Sequence, residues 1–357
     1  MSLEQPTLVE MLQHAISRKA SDLHIGDNIR PAIREDGDLV YVADKPFGPN
    51  QTLALMKDYL SDEKLKDFQK KLELDYSFGI QGLGRFRVNL YYQRNSVAAA
   101  IRALPTEPMT FEQIGFPEQV ARQLVSKPSG LILVTGATGS GKTTTLAAMI
   151  DYINQNEASH IVTIEDPIEL VFRNKKSVVS QREVGADTHS FNDALKHVLR
   201  QDPDVILIGE MRDLETIEIA LTVAETGHLV FATLHTPDAV QSVNRIIDVF
   251  PAHQQQQVRV QFSFVLQAIV CQQLIPKEGG GLALAAEILL ATPAIRTLIR
   301  DSKSHQIYSS IQMGQKDGMR TLNMSLSELV KSGRISKENA LSRSLDVPEL
   351  ERLLMSR

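Results

Sequence analysis

Apolar positions change rhythm about a third of the way along this chain. Early on they recur at helical spacing or alternate with polar ones. Leu8, Met11, Leu12, Ala15 and Ile16 predict a short amphipathic helix. "SDLHI" reads as a strand, and "PAIREDGDLVYV" as a hairpin turning at Asp36 and Gly37. A charged helical segment is expected around "SDEKLKDFQKKL". In "GRFRVNLYY", Arg85, Arg87 and Asn89 face one way and Phe86, Val88 and Leu90 the other. Pro105 and Pro108 mark a linker, so residues 1–105 are expected to form a small α+β domain.

Beyond residue 110 the apolar residues come in solid runs: "LILVT", "HIVTI", "DVILIG" and "LVFATL", separated by helical segments. Such runs are strands buried on both faces and belong to a mostly parallel sheet flanked by helices. An α/β domain is therefore expected over residues 106–357, its final part, from about residue 281, mainly helical. "QQQQ", residues 254–257, is expected on an exposed helix.

Composition narrows the function. Apolar residues make up 43 % and charged residues 23 % of 357, an ordinary globular balance. The net charge of −5 provides no global field for nucleic acid or an anionic membrane, so neither is expected as a partner. The single cysteine, Cys271, excludes an intrachain disulfide and any CxxC zinc module. "MSLEQPTLVEML" lacks the form of a signal peptide, and "GLALAAEILLATPAI", broken by Glu287, falls short of a membrane span. A soluble, cytoplasmic protein without direct membrane insertion is expected.

The sharpest chemical signal is "GATGSGKT". Gly136, Ala137, Thr138, Gly139, Ser140, Gly141, Lys142 and Thr143 fill the pattern G-x-x-x-x-G-K-[ST] between an apolar run and a helical one, with Thr144 next in line. Glycines let backbone N–H groups curl around phosphate oxygens, and the helix start adds its positive dipole end. Lys142 is then a charge for the β- and γ-phosphates and the Thr143 hydroxyl a ligand for Mg²⁺. ATP and Mg²⁺ are the expected substrate and cofactor.

Hydrolysis needs carboxylates, and two strand ends offer them. "HIVTIEDPIEL" brings Glu165 and Asp166, and "DVILIGEMRD" brings Glu210. Many enzymes of this kind have an acid before the glutamate, where Gly209 stands here, so Asp166 or Glu210 is left as a candidate on the Mg²⁺ side. His228 and His235 bracket "LVFATL"; at an odd offset on a strand they face apart and make no metal pair. Either is a candidate sensor of the γ-phosphate, or an ordinary hydrogen-bonded histidine at a strand end. Arg85 and Arg87 could neutralise transition-state charge or simply line a solvated sheet face.

Together these motifs resemble one family, the secretion ATPases of type II secretion and type IV pili, and within it the pilus retraction motors. The residues that carry the resemblance are "ASDLH" (20–24), the phosphate loop, "TIEDPIE" (163–169), "RQDPDVILIGEMRD" (200–213), "AETGHLVFATLHT" (224–236) and "PAIRTLIRD" (293–301). The late motif departs from the family by Thr297 in place of asparagine, and the loop by Ala137 and Thr143 in place of the commoner proline and serine. The resemblance implies a homohexamer whose protomer pairs a PAS-like N-terminal domain with a RecA-like P-loop ATPase domain, with ATP held between them. It implies Glu210 as catalytic base, Glu165 and Asp166 as its acidic partners, His228 and His235 near the site, and Arg85, Arg87 and Arg102 as phosphate contacts. It further implies a cytoplasmic motor docked at the inner membrane through a platform protein, with an accessory retraction ATPase as a possible companion. A pilus-assembly or secretion motor is the nearest alternative, though such relatives usually carry a zinc insert that one cysteine cannot build. A RecA-type DNA translocase is the alternative from another class, and it would need a basic or aromatic track absent from this chain.

Overall fold

Alternation in the first hundred residues builds an antiparallel sheet. The computed structural model describes residues 6–35, 37–105 and 107–356. These divide into two units, Met1–Glu107 with Pro167–Val171, and Pro108–Asp166 with Phe172–Arg357. Residues 1–5, which open the stretch read above for a signal peptide, and Asp36, half of the expected hairpin turn, lie outside the described residues.

In the first unit the strands are β1 (Asp22–Gly26), β2 (Ala32–Glu35), β3 (Asp38–Tyr41), β4 (Glu73–Ile80), β5 (Gly84–Gln93) and β6 (Ser96–Ala103), in the order β3-β2-β1-β6-β5-β4. Phe86, Val88 and Leu90 are buried, while Arg85, Arg87 and Asn89 share the opposite, half-open face, as the alternation predicts. The first helix, Leu8–Ser17, starts at a reciprocal cap between Thr7 and Glu10 and buries Leu8, Met11, Leu12 and Ala15. Ile16, expected on the same stripe, is left exposed at its edge. The charged segment forms the helix Asp62–Lys71, capped by Ser61 and anchored by Phe68.

In the second unit the strands are β7 (Gly130–Thr135), β8 (His160–Glu165), β9 (Val178–Glu183), β10 (Val205–Ile208), β11 (Leu229–Leu234), β12 (Leu266–Pro276) and β13 (Leu282–Leu290). Their order is β13-β12-β7-β11-β10-β8-β9. Every pair is parallel except β12 with β13. All residues of β7, β10 and β11 are buried, because helices cover both faces. The glutamines 254–257 lie on the helix Ala252–Val265 and are mostly exposed.

The region after residue 281 is largely helical, but it opens with the nine-residue strand β13. Its alanines favour helix locally; pairing with β12 along nine residues overrides that preference. The outer end of this hairpin, Ile275, Ala283 and Ala285, packs under Leu322, Leu326, Leu329 and Leu350 of the C-terminal helices. The late motif forms the helix Pro293–Arg300, with Thr292 capping it and Pro293 in its first turn. Ile295 and Ile299 are fully buried, Leu298 partly, and Ala294 is exposed. Arg296 donates to the carbonyls of Ser263 (2.6 Å) and Phe264 (2.5 Å), capping the C-terminal end of the helix Ala252–Val265. Among the described residues no helix is long and apolar enough to cross a membrane.

Glu287, the charge that interrupts β13, is buried, and burial pushes its carboxyl from an ordinary 4.5 to about 7. The folded chain therefore keeps this proton in a range where the unfolded chain has lost it. The resulting stabilisation is complete below about pH 4.5 and disappears as pH rises through about 7, an effect of about 3 kcal/mol. Glu287→Gln removes the titration. Relative to the native chain, its melting temperature is expected to improve between pH 5 and pH 8, as read by thermal denaturation; parallel curves would refute the assignment.

Candidate active site

The phosphate loop joins β7 to the helix Lys142–Asn156. Gly136, Gly139 and Gly141 adopt φ of +136°, +78° and +88°, a region that side chains disfavour. At Gly136 there is also no room, since a Cβ would lie 2.4 Å from the Gln272 carbonyl oxygen and 2.6 Å from Ser140 Oγ. The helix begins at Gly141, which has no side chain to cap its first N–H groups. Lys142 Nζ donates to the carbonyls of Gly136 (2.8 Å) and Ala137 (3.0 Å), which holds its charge inside the curl of the loop. Thr143 and Thr144 are exposed on the first turn, and the hydroxyl of Ser140 is buried beneath the loop. These features suit a polyphosphate, with backbone donors, one ammonium and one exposed hydroxyl at a helix start.

Parallel strand direction decides which acids join the loop. β7 and β10 flank β11, so their ends stand about 10 Å apart, two strand spacings. Glu210 follows β10 by two residues. Its Oε1 lies 2.7 Å from Arg212 Nε and 2.9 Å from His235 Nε2. Arg212, more than the neighbouring histidine, holds the carboxyl below its usual range despite partial burial. His235 follows β11 directly, and Thr233 on that strand donates through its hydroxyl to the Gly209 carbonyl at 2.5 Å. Glu165 ends β8, buried, with Oε1 accepting from Thr163 Oγ1 at 2.6 Å and from Gln181 Nε2 at 3.0 Å. Asp166 beside it is exposed and adds to the negative field around Arg212.

The structure does not bring His228 to this edge. It precedes β11, and its carbonyl accepts from the N–H of Gly130 at the start of β7, the far end of the sheet from the loop. Its Nδ1 lies within hydrogen-bond distance of Val223 O and Thr226 Oγ1, which makes it an ordinary strand-end histidine. The arginines belong to the first unit. Arg87 and Arg102 are direct cross-strand neighbours on its polar face. Arg102 pairs with Asp22 at 2.8 Å, Arg87 with Glu169 at 3.6 Å, and Arg85 donates to Ser77 at 2.6 Å. Sequence reasoning passed over Arg212, although it stands inside the quoted "GEMRD". It also passed over Thr163, two residues before Glu165 on the same strand, and Gln181, whose role is visible only once β8 and β9 are paired.

The profile of a family described as "Type II/IV secretion system protein" matches residues 2–280. A Pseudomonas aeruginosa protein named "Type IV pilus retractation ATPase PilT" is 49 % identical over 342 residues, 96 % of this chain and 99 % of that one. A "Twitching motility protein" of Neisseria gonorrhoeae is 46 % identical over 315 residues, 88 % of this chain and 84 % of that one. The α/β fold with its preceding α+β unit is shared with a solved structure titled "Crystal Structure of the Pilus Retraction Motor PilT and Bound ADP". The TM-score is 0.92 and the identity 51 %, covering 98 % of this chain and 100 % of that one.

The crowding at Gly136 sets a test of the loop. Gly136→Ala is expected to weaken binding of a fluorescent ADP analogue roughly tenfold or more while circular dichroism stays native. Native affinity in that variant would mean the loop opens freely and the close packing is irrelevant to binding.

Proposed function

Because the chain belongs to the type II/IV secretion system protein family, we propose that it is a homohexameric motor that hydrolyses ATP to retract type IV pili. Similarity to a retraction ATPase and to a twitching motility protein, over most of both chains in each case, supports the retraction branch over assembly and secretion motors. The observation that carries the chemistry is the ionised Glu210, fixed by His235 and Arg212 at the sheet edge that also bears the phosphate loop.

In this reading Lys142 turns from the loop carbonyls toward the β- and γ-phosphates, and the first-turn N–H groups take the remaining oxygens. Glu210 orients the attacking water and accepts its proton. His235, already within reach of Glu210, transmits the state of the γ-phosphate to the helix that follows it. Mg²⁺ would supply charge neutralisation at the leaving oxygens, held by the Thr143 hydroxyl, with Asp166 or Glu210 as the acid on its side. Among the described residues no group of three or more His, Cys, Asp or Glu could hold a metal unaided, which suits an ion that keeps its waters and leans on phosphate. Arg85, Arg87 and Arg102 are the candidates for further phosphate charge. The partners in this reading are an inner-membrane platform protein, against which the motor docks from the cytoplasm, and an accessory retraction ATPase.

Glu210→Gln is expected to lower phosphate release by about 10²–10⁴-fold with ATP affinity retained. Turnover within a factor of two or so of native would remove Glu210 from the mechanism. For the biological role, cells lacking the gene should keep surface filaments and lose surface movement. Loss of the filaments themselves would point to an assembly motor.

A further inference from the structure

Glu287 stands level with the phosphate loop. It pairs with Cys271 on β12, Cys271 with Thr135 at the end of β7, and Thr135 with Leu234 at the end of β11, one residue before His235. Its side chain is 3 % exposed. Its Oε1 accepts the N–H of Ala239 at 2.8 Å, and the backbone of Leu322 also favours its charged form. Ala239 opens the helix Ala239–Asp248 and Leu322 opens the helix Leu322–Lys331, so the carboxylate is bonded to one helix start and is favoured by a second, whose dipoles both suit an anion.

Each helix start leads somewhere different. Only Thr236, Pro237 and Asp238 separate Ala239 from His235. That link is tied down, with Thr236 Oγ1 2.6 Å from Ser242 Oγ and Ser242 Oγ donating to the Asp238 carbonyl at 2.7 Å. On the other side Asn323, beside Leu322, donates to the buried Glu349 at 2.5 Å. Glu349 also accepts from Gln312 at 2.5 Å and from the Tyr308 hydroxyl, both on the helix Ile307–Met313. The charged groups facing Glu287 are Asp238 and Glu349, with the Cys271 thiol adjacent.

We propose that Glu287 is a positioning residue for hydrolysis: by clamping Ala239 it fixes His235 against Glu210, from a place between that pair and the C-terminal helices. The inference rests on the ATPase reading above and adds to it a residue outside the Glu210–His235 pair. A buried acid with a purely structural role would affect folding and nucleotide binding together. A positioning residue separates the two.

Two measurements on the full-length protein decide the matter. In Glu287→Gln, which keeps the shape but loses the charge and one acceptor, kcat is expected to fall about tenfold with KM for ATP within about twofold. Glu287→Asp, which keeps the charge on a shorter arm, should recover part of the loss. Independently of turnover, diethyl pyrocarbonate should modify His235 severalfold faster in Glu287→Gln, as read by peptide mass spectrometry, with exposed His253 as an unchanged internal standard. Unaltered His235 reactivity, or kcat and KM that both stay native, would overturn the inference. A native protein without hydrolysis would instead overturn the ATPase reading, and the His235 reactivity would still decide whether Glu287 positions it.

Discussion

Parallel pairing of β7, β11, β10 and β8 is the constraint from which the site follows. Strands covered by helices on both faces leave little lateral room for a charge, since most side chains along them meet apolar packing. The charged groups of the site stand where the strands stop. Parallel direction then makes all four strands stop at the same edge, spaced by the ladder itself. The phosphate loop, His235, Glu210 and Glu165 are neighbours for that reason, although up to a hundred residues of chain separate them.

The same rule explains what the sequence reveals and what it conceals. The loop is legible because its chemistry is local: glycines at fixed offsets, then lysine and threonine at a helix start. Glu210 is legible because it follows an apolar run. His228 and His235 bracket one strand symmetrically, and the resemblance placed both near the site. Strand direction separates them, for only the residue after a parallel strand reaches the loop edge. That signal was present in the sequence as soon as the sheet was read as parallel. β13 was hidden for a different reason. "LALAAEILL" has no alternation and is rich in alanine, so its strand identity comes from nine partners on β12 that no local pattern discloses. The attachment of Pro167–Val171 to the first unit is equally non-local.

Three glutamates in the second unit show how environment assigns roles to one side chain. Glu210, half open and beside a guanidinium, is held ionised. Glu287, in the dry interior, is driven toward the neutral form, and the helix starts beside it only partly offset the burial. Glu165 is as buried as a core residue, yet a threonine hydroxyl and a glutamine amide are aimed at the same oxygen, which fixes its orientation. Composition counts these residues as equals. Their chemistry diverges because one faces a charge, one faces dipoles and one faces neutral donors.

Gly209 stands in a tight place before Glu210. A Cβ at that position would lie 3.1 Å from the Ile164 carbonyl oxygen and 3.3 Å from Glu165 Cα. The N–H of Gly209 is bonded to that same carbonyl at 2.8 Å, so the backbones of β10 and β8 close together just where they end. A side chain here would need the end of β8, which carries Glu165, to give by a few tenths of an ångström. The close approach of the two strand ends therefore disfavours a carboxylate at 209. Acidity at this edge is divided between two strands, Glu210 on one and Glu165 with Asp166 on the other.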